Sequence, residues 1–295
     1  MTNETVAGND RYWKLLQYRV QEKKIGGLFR QLEKHAFELL LIKGWAAARN
    51  YPQPSERLAV DIDIAVNPRQ FKDCARALVE QNVTGVDLHE GLRHLDTIEW
   101  KDLYDNAETV EIDKTIFKIL RAEDHLRVLC VHWLNDGGAN RERLRDIYYA
   151  AAARPADFDW ERCLNSVGET RKQWILSTLG LAEKYLKLDL SGTPVAAEAK
   201  KIPFWLIKTL ENEWNRQVKL KPLFVCISEP EKLWKQIKIR MPPNAIQATI
   251  ECEGEFDEST RVIYQIKSIA RRAQPSLHSI CEALRRRAEK GSIVS

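Results

Sequence analysis

The stretch from Leu40 to Val66, LLIKGWAAARNYPQPSERLAVDIDIAV, decides how the chain folds. Its first apolar residues belong to a run bounded by Gly44, which predicts a short buried strand over 38–43. An alanine-rich helix is predicted to follow over 45–49, and it ends where two prolines form a turn. The remainder alternates into a second predicted strand over 58–66, so a strand, a helix and a strand follow one another closely.

Two aspartates, Asp61 and Asp63, stand within the apolar sequence of the second strand. Residues two apart in a strand point to the same face, so their carboxylates are predicted to lie about 6–7 Å apart, with Val60, Ile62 and Ile64 on the opposite, buried face. Buried carboxylates are costly unless something compensates them. A divalent cation is one candidate, because Mg²⁺ is commonly held by one or two carboxylates together with substrate phosphates. A solvated strand edge is the structural alternative.

A third carboxylate, Asp87, lies in the segment GVDLHEGL, which predicts another short strand over 85–89. If that strand neighbours the one with Asp61 and Asp63, the three carboxylates converge. Two metal ions about 3.5–4 Å apart could then clamp a phosphoryl or nucleotidyl transfer. His89 shares the face of Asp87 because it lies two residues further on. It is predicted either to contact phosphate or the acceptor, or to be a packed, hydrogen-bonded histidine.

The composition is that of an ordinary soluble protein and excludes several classes of function. Hydrophobic residues make up 44% and charged residues 30% of the 295 residues, and the net charge is only +4. This balance favours neither nucleic acid nor a membrane surface as a partner. With no long apolar run, no signal pattern and six scattered cysteines, the chain is predicted to be cytoplasmic. The sequence also lacks the motifs of the common serine-hydrolase, zincin, dinucleotide-binding and P-loop classes.

The character of the sequence changes near residue 120. Residues 108–113 and 115–120 alternate polar and apolar types, which predicts a hairpin, and helical periodicity dominates from about residue 122 onward. The predicted fold class is therefore α/β, a mixed sheet with flanking helices followed by a mainly helical second half. The predicted division is a core over 1–120 and a mainly helical acceptor or cap region over 121–295.

Three features outside the strands also carry predictions. A helix is predicted over 10–38, with a break or bend at the pair Gly26-Gly27. His125 and His132 lie seven residues apart on one predicted helix, so they face the same way and are either metal ligands or structural histidines. The last segment, 277–290, is predicted to be a basic helix with either a solvated face or a weak patch for nucleic acid or an acidic partner.

The order and spacing of these motifs resemble the bacterial nucleotidyltransferase-like proteins of the polymerase β superfamily. Within that superfamily the likeness is greatest to a largely uncharacterised branch, and it covers roughly residues 12–190. The segments that carry it are Lys43-Gly44-x-Ala46-x-Ala48-Arg49, Tyr51-Pro52, Arg57, Asp61-x-Asp63, Val86-Asp87-Leu88-His89, AEDHLRVLCVHW (122–133), RLRDIYYAA (143–151) and DFDW (157–160).

The resemblance implies an activity as well as a nucleotidyltransferase-like fold. It implies transfer of a nucleoside monophosphate from a nucleoside triphosphate, such as ATP, to a hydroxyl or phosphate of a small molecule, a peptide or a protein. It also implies two Mg²⁺ ions, for which Mn²⁺ can substitute. A catalytically inactive nucleotide-binding or regulatory protein of the same fold is the alternative.

The resemblance further assigns roles residue by residue. Asp61 and Asp63 match the paired metal ligands, and Asp87 matches the third carboxylate, so these three are the implied catalytic and metal-binding residues. Gly44 matches the glycine of the phosphate-binding turn, where a helix start presents backbone N–H groups.

One departure from the superfamily pattern lies at that turn. The superfamily usually has Gly-Ser, whereas this chain has Gly44-Trp45. Lys43 or Arg57 is therefore predicted to supply positive charge to a nucleotide phosphate, since a guanidinium fork in particular suits phosphate. The ring of Trp45 is predicted either to stack on the nucleotide base or to belong to the core.

Overall fold

The computed structural model describes residues 3–92, 98–215, 226 and 229–272. The described residues form two compact units. The first comprises those up to 132 together with 142–200, and the second comprises 133–141 and those from 201 onward. The basic helix predicted over 277–290 lies outside the described residues.

The first unit contains a five-stranded mixed sheet with the order β3-β2-β1-β5-β4. Strand β1 is antiparallel to β2 and parallel to β5, β2 is parallel to β3, and β4 is antiparallel to β5. The predicted fold class is confirmed. The strands are β1 (Leu39–Leu41), β2 (Ile62–Val66), β3 (Val86–Glu90), β4 (Glu108–Ile112) and β5 (Thr115–Ile119).

Helices flank the sheet and follow it along the chain. Among the described residues, none of them has both the length and the apolar character needed to cross a membrane. The α-helices are α1 (Asn3–Glu33), α2 (Gly44–Ala48), α3 (Phe71–Glu80), α4 (Trp100–Asp105), α5 (Ala122–Asn135), α6 (Leu144–Ala152), α7 (Trp160–Asn165), α8 (Glu169–Leu186), α9 (Ala196–Ala199), α10 (Phe204–Trp214), α11 (Pro230–Ile239) and α12 (Ala245–Glu251), and residues 262–272 are also helical. The assignment of 121–295 as an acceptor or cap region stays a prediction.

Strand β2 is shorter than its sequence pattern predicts. The strand begins at Ile62, and Val60, predicted to be buried, is fully exposed, while Asp61 is exposed as well. Pairing with β1 reaches only as far as Leu41 and Ile64, and pairing with β3 begins at Ile62 and Val86. The residues before Ile62 therefore have no strand partner on either side.

The two faces of the sheet have different roles. On one face, Ile62 and Ile64 of β2 join a core with α1 and α3, to which α1 contributes Leu28 and Phe29. The Phe29 ring stacks on Phe117 of β5 at 4.6 Å between ring centroids. Because side chains alternate along a strand, the polar residues of β2 and β3 are left on the opposite face.

Helix α1 runs unbroken through Gly26-Gly27, so the predicted break is wrong, and the alternative of a bend stays a prediction. Gly26 packs against the β4–β5 hairpin. A Cβ added at this position would lie in ordinary contact, 3.4 Å from the carbonyl oxygen of Ile112 and 3.5 Å from the hydroxyl of Thr115, whereas one at Gly27 would meet nothing within 4 Å. A side chain larger than a methyl group at Gly26 would press on the hairpin.

The second unit has its own small core. Leu206 and Leu210 of α10 are buried. The indole of Trp214 donates a hydrogen bond to the carbonyl of Gly138 at 2.8 Å. Asn244 caps the start of α12 and donates to the carbonyl of Gly137 at 3.1 Å. Tryptophan and asparagine side chains thus satisfy the backbone carbonyls at the end of α5.

The two neighbouring glycines of α1 predict opposite effects on stability. Gly26→Val should lower the free energy of unfolding by about 1–3 kcal/mol, because the added methyl groups overpack the hairpin contact. Gly27→Ala should raise it by up to about 1 kcal/mol, because alanine has the higher helix propensity and meets no neighbour. Urea unfolding of both variants is the measurement, and equal effects at the two positions would contradict the packing role of Gly26.

Candidate functional site

Three side chains with metal-binding chemistry converge on the polar face of β2 and β3. The parallel register places Asp63 beside Asp87 and Ala65 beside His89. Asp63, Asp87 and His89 each offer one ligand atom, and these atoms all lie within 4.8 Å of one another. Asp63 is buried, whereas Asp87 is exposed. The register of two parallel strands therefore assembles the group.

Lys43 completes what we call the Asp63 cluster, formed by Lys43, Asp63, Asp87 and His89. The buried Lys43 ammonium lies 2.7 Å from Asp63 Oδ1 and 3.3 Å from His89 Nε2. His89 Nε2 lies 3.1 Å from Asp87 Oδ2 and 3.6 Å from Asp63 Oδ1. The charge of the buried Asp63 is thus compensated within the protein, by a lysine from the end of β1.

The electrostatics of the cluster keep Asp63 ionised. Burial alone would raise the pKa of the Asp63 carboxyl, but contact with His89 and the charge of Lys43 outweigh burial and hold the pKa below its usual value. A carboxylate that stays charged over the neutral range is available as a ligand for a cation.

The backbone of the turn after β1 places the Lys43 side chain against Asp63. Lys43 has φ 54° and ψ −151°, close to a region that only glycine adopts easily, and such strain costs about 1–3 kcal/mol. The next residue, Gly44, has φ +39°, and a Cβ there would lie 3.3 Å from the Cβ of Ala59 and 3.7 Å from Asp63 Oδ2. Strained backbone and a close glycine both occur where the lysine meets the aspartate.

The Asp63 cluster lies within the part of the chain that matches a known family. Residues 11–95 match the family described as uncharacterised nucleotidyltransferase. This region is similar to that family. The predicted resemblance is confirmed at the level of a nucleotidyltransferase family. No curated protein matches the chain.

A solved structure that is similar to the chain is the crystal structure of an antigenic nucleotidyltransferase-like protein from Paracoccidioides brasiliensis. The sequence identity is 13% and the TM-score is 0.41, and the similarity covers 61% of this chain and 91% of that one.

Asp61 does not join the group formed by Asp63, Asp87 and His89. It precedes β2 and is exposed, since the strand starts one residue later. The predicted pairing of Asp61 with Asp63 on one strand face is therefore replaced by the pairing of Asp63 with Asp87 across two strands. A role for Asp61 as a metal ligand stays a prediction.

The ring of Trp45 lies in the core. Its indole nitrogen donates to Glu22 of α1 at 3.3 Å, and its ring meets Phe117 edge-on at 5.9 Å between centroids. Of the two predicted roles, packing is the one that these contacts support, because the ring is enclosed by α1 and the sheet.

Arg57 binds Asp146 of α6, a residue to which the sequence analysis assigns no role. Its Nε lies 2.8 and 3.0 Å from the two carboxylate oxygens of Asp146, which also accepts a hydrogen bond from the Tyr51 hydroxyl at 2.6 Å. Burial works to lower the pKa of Arg57, but Asp146, Tyr51 and Asp63 together raise it. Asp146 lies in the segment RLRDIYYAA, which resembles the family. Helical periodicity in that segment does not indicate a function for this residue.

His125 and His132 do not form a metal site with each other in the described residues. His125 is fully enclosed, its Nε2 has no hydrogen-bond partner among the described residues, and burial lowers its pKa to about 4. His132 lies 3.0 Å from the Arg143 guanidinium. Of the two predicted alternatives, these contacts support the structural one.

The buried His125 predicts a loss of stability in mild acid. The unfolded histidine binds a proton near pH 6.5 and the folded one only near pH 4, so the unfolded state holds more protons between these values and stability falls as the pH falls. The free energy of unfolding should fall by about 3 kcal/mol, since each pKa unit of difference corresponds to about 1.4 kcal/mol. Urea unfolding between pH 7 and pH 4 measures this dependence. His125→Gln should remove the fall in unfolding free energy, and His35→Gln, which replaces an exposed histidine, should not. Parallel curves for His125→Gln and the unchanged protein would contradict it.

The Lys43–Asp63 pair predicts a specific defect and a specific rescue. Lys43→Met should lower the free energy of unfolding by about 3–5 kcal/mol, because it leaves a buried carboxylate without its partner. Asp63→Asn in the same chain should restore most of the loss, and MnCl₂ should stabilise Lys43→Met more than the unchanged protein. Denaturant unfolding with and without Mn²⁺ measures both effects.

The matched control is Lys72→Met, which removes an exposed lysine from α3. If Lys43→Met costs no more than this control, the ion pair does not stabilise the fold. If Mn²⁺ fails to distinguish the two variants, the carboxylates do not accept a cation in place of Lys43.

Proposed function

We propose that the chain is a nucleotidyltransferase that moves a nucleoside monophosphate from a nucleoside triphosphate, ATP among them, to a hydroxyl or phosphate of an acceptor. The acceptor class is a small molecule, a peptide or a protein. The single observation that carries the proposal is the convergence of Asp63, Asp87 and His89 on one face of two parallel strands, inside the region that matches the nucleotidyltransferase family.

The chemistry of these donors fits a divalent cation. Two carboxylates suit Mg²⁺ or Mn²⁺, and the imidazole of His89 extends the set towards transition metals. Asp63 and Asp87 would hold the ion, with His89 Nε2 as the third donor. A second ion, with Asp61 as a further ligand, belongs to the proposal but not to the observed grouping.

When bound, a divalent cation neutralises phosphate charge and orients the phosphoryl group for in-line displacement. The residues of the chain supply the rest of the site. Lys43 pairs with Asp63 in the structure, and once Asp63 is shared its ammonium can pair with phosphate oxygens instead. This would replace the serine that the superfamily usually carries after the glycine. Gly44 leaves room beside Asp63, because a Cβ there would press on Ala59 and lie in contact with Asp63 Oδ2.

One group in the cluster can take part in proton transfer. Asp87 is exposed and contacts His89 at 3.1 Å. We propose that the Asp87 carboxylate oxygen that would not hold the ion orients the acceptor hydroxyl and accepts its proton as the hydroxyl attacks the α-phosphorus and pyrophosphate leaves. Arg57 instead binds Asp146 of α6 and so links that helix to the residues before β2. Its positive charge also interacts with Asp63.

One observation favours the alternative, a nucleotide-binding protein without turnover. Lys43 already neutralises the most buried carboxylate of the cluster at 2.7 Å. If that pair is permanent, Asp63 is not available as a ligand, and a nucleotide could bind without reacting. Nucleotidyl transfer requires the Lys43–Asp63 ion pair to open, whereas nucleotide binding without turnover does not.

The proposal predicts that two carboxylates are indispensable. Asp63→Asn and Asp87→Asn should each lower the rate of pyrophosphate release by at least about a thousandfold, or about 4 kcal/mol at ~1.4 kcal/mol per decade. The assay uses each nucleoside triphosphate with Mg²⁺ or Mn²⁺, and mass spectrometry detects the transferred nucleotide on acceptors or on the protein itself.

Asp61→Asn tests the second ion separately, since it removes a neighbouring exposed carboxylate. A thousandfold loss there would support the second ion with Asp61 as its ligand, and an unchanged rate would limit the site to Asp63, Asp87 and His89. Thermal stabilisation by nucleotide and metal with no pyrophosphate release in the unchanged protein would instead establish the binding-only alternative.

A further inference from the structure

The guanidinium of Arg57 is bound at one edge and open at the other. Both carboxylate oxygens of Asp146 lie near its Nε, at 2.8 and 3.0 Å, and its Nη1 donates to the carbonyl of Leu58 at 2.7 Å. Its Nη2 forms no hydrogen bond with any described residue and is not enclosed by the protein. The two N–H donors of this nitrogen are therefore accessible to a ligand.

The contact between Arg57 and Asp146 differs from the usual fork of an arginine–carboxylate pair. Such pairs frequently form two parallel N–H···O bonds, each from a different nitrogen. Here both oxygens of Asp146 accept from Nε alone. The carboxylate thus fixes the guanidinium and leaves Nη2 available for a second anion.

The carboxylate that anchors Arg57 is itself buried and held in place. The side chain of Asp146 is only 6% exposed, against 19% for Arg57. The hydroxyl of Tyr51 donates to Asp146 Oδ1 at 2.6 Å, and burial together with the charge of Asp146 raises the pKa of this hydroxyl, so it remains a donor. Tyr51 therefore orients Asp146, and Asp146 orients the guanidinium.

The segment that carries Arg57 borders the Asp63 cluster. Ala59 lies two residues further on, and a Cβ placed on Gly44 would be 3.3 Å from the Cβ of Ala59 and 3.7 Å from Asp63 Oδ2. Burial works to lower the pKa of Arg57, and the nearby anions, Asp63 among them, raise it. The guanidinium therefore adds a second positive charge, after Lys43, close to the cation ligands.

We infer that Arg57 binds the phosphate chain of the nucleotide through its free Nη2, and that Asp146 is a positioning residue that directs this group. The identity of the ligand rests on the proposed function. The phosphate chain is the part that all nucleoside triphosphates share, and a guanidinium recognises phosphate oxygens by both charge and direction. The role predicted for Arg57 thereby extends to a residue of α6.

The probe is inorganic tripolyphosphate with MgCl₂, and isothermal titration calorimetry measures its affinity. Arg57→Lys keeps a positive partner for Asp146, but an ammonium that pairs with this carboxylate has no second, fixed edge for phosphate. The variant should bind tripolyphosphate at least about tenfold more weakly, which is the effect of losing a hydrogen bond to a charged group.

Arg76→Lys is the matched control. It makes the same substitution at an exposed arginine of α3, which packs on the opposite, apolar face of the sheet, and it should leave the affinity unchanged. Melting curves show whether each variant is folded.

Asp146→Glu tests the positioning role in two backgrounds. It keeps the charge and displaces the anchor by one methylene, so it should weaken tripolyphosphate binding by about fivefold in the otherwise unchanged chain. In the Arg57→Lys chain it should cause no further loss, because a residue that acts through Arg57 has no effect once the guanidinium is gone. Asp146→Asn, which adds no volume, is the second variant and should give the same pattern.

Two sets of results would overturn the role of the guanidinium edge or of its anchor. Arg57 is not a phosphate ligand if the unchanged protein fails to bind tripolyphosphate, or if Arg57→Lys binds as tightly as Arg76→Lys. Asp146 is not a positioning residue if its variants leave the affinity unchanged, or if they weaken binding equally in both backgrounds.

Binding of tripolyphosphate also separates this role from the proposed transfer reaction. If binding depends on Arg57 but no nucleoside triphosphate releases pyrophosphate, the transfer reaction is wrong and the phosphate site remains. If pyrophosphate is released while Arg57→Lys leaves the affinity for tripolyphosphate unchanged, the role of Arg57 is wrong and the transfer reaction remains.

Discussion

The buried ion pair between Lys43 and Asp63 is the interaction on which the rest of the candidate site depends. A carboxylate that is 8% exposed would be expensive alone, and the lysine ammonium at 2.7 Å compensates it. The backbone accommodates this pair. Lys43 adopts a strained conformation, Gly44 leaves space beside Asp63, and the amide of Ile42 bonds to the carbonyl of Asp63 at 2.9 Å.

This pair gives the cluster two ways to balance its charge. In the structure, Lys43 compensates the buried Asp63. Under the proposed function, a divalent cation with a nucleotide would bring positive and negative charge together, so Lys43 would turn from Asp63 to phosphate without leaving either charge unpaired. Breaking a buried pair without such a replacement costs about 3–5 kcal/mol, which would favour binding of metal and nucleotide together over either alone.

The sequence predicts the strands well, because a short alternating strand and an apolar run leave little choice of structure. It does not predict the start of β2, since that depends on where the pairing with β1 and β3 begins. The partners of Arg57 and Lys43 are also not predictable from spacing. Asp146 lies 89 residues from Arg57 along the chain, and His89 lies 46 residues from Lys43, so only the assembled fold brings them together. The same holds for Gly26, whose role appears only when the hairpin packs against α1.

The most direct test of the account is pulsed electron paramagnetic resonance of Mn²⁺ bound to the protein with a non-hydrolysable nucleoside triphosphate analogue. The account predicts a protein-bound Mn²⁺ that shows coupling both to phosphorus of the nucleotide and to an imidazole nitrogen, with the nitrogen coupling absent in His89→Gln. Bound Mn²⁺ with phosphorus coupling alone, or with a nitrogen coupling that persists in His89→Gln, would contradict the assignment of Asp63, Asp87 and His89 as the cation site.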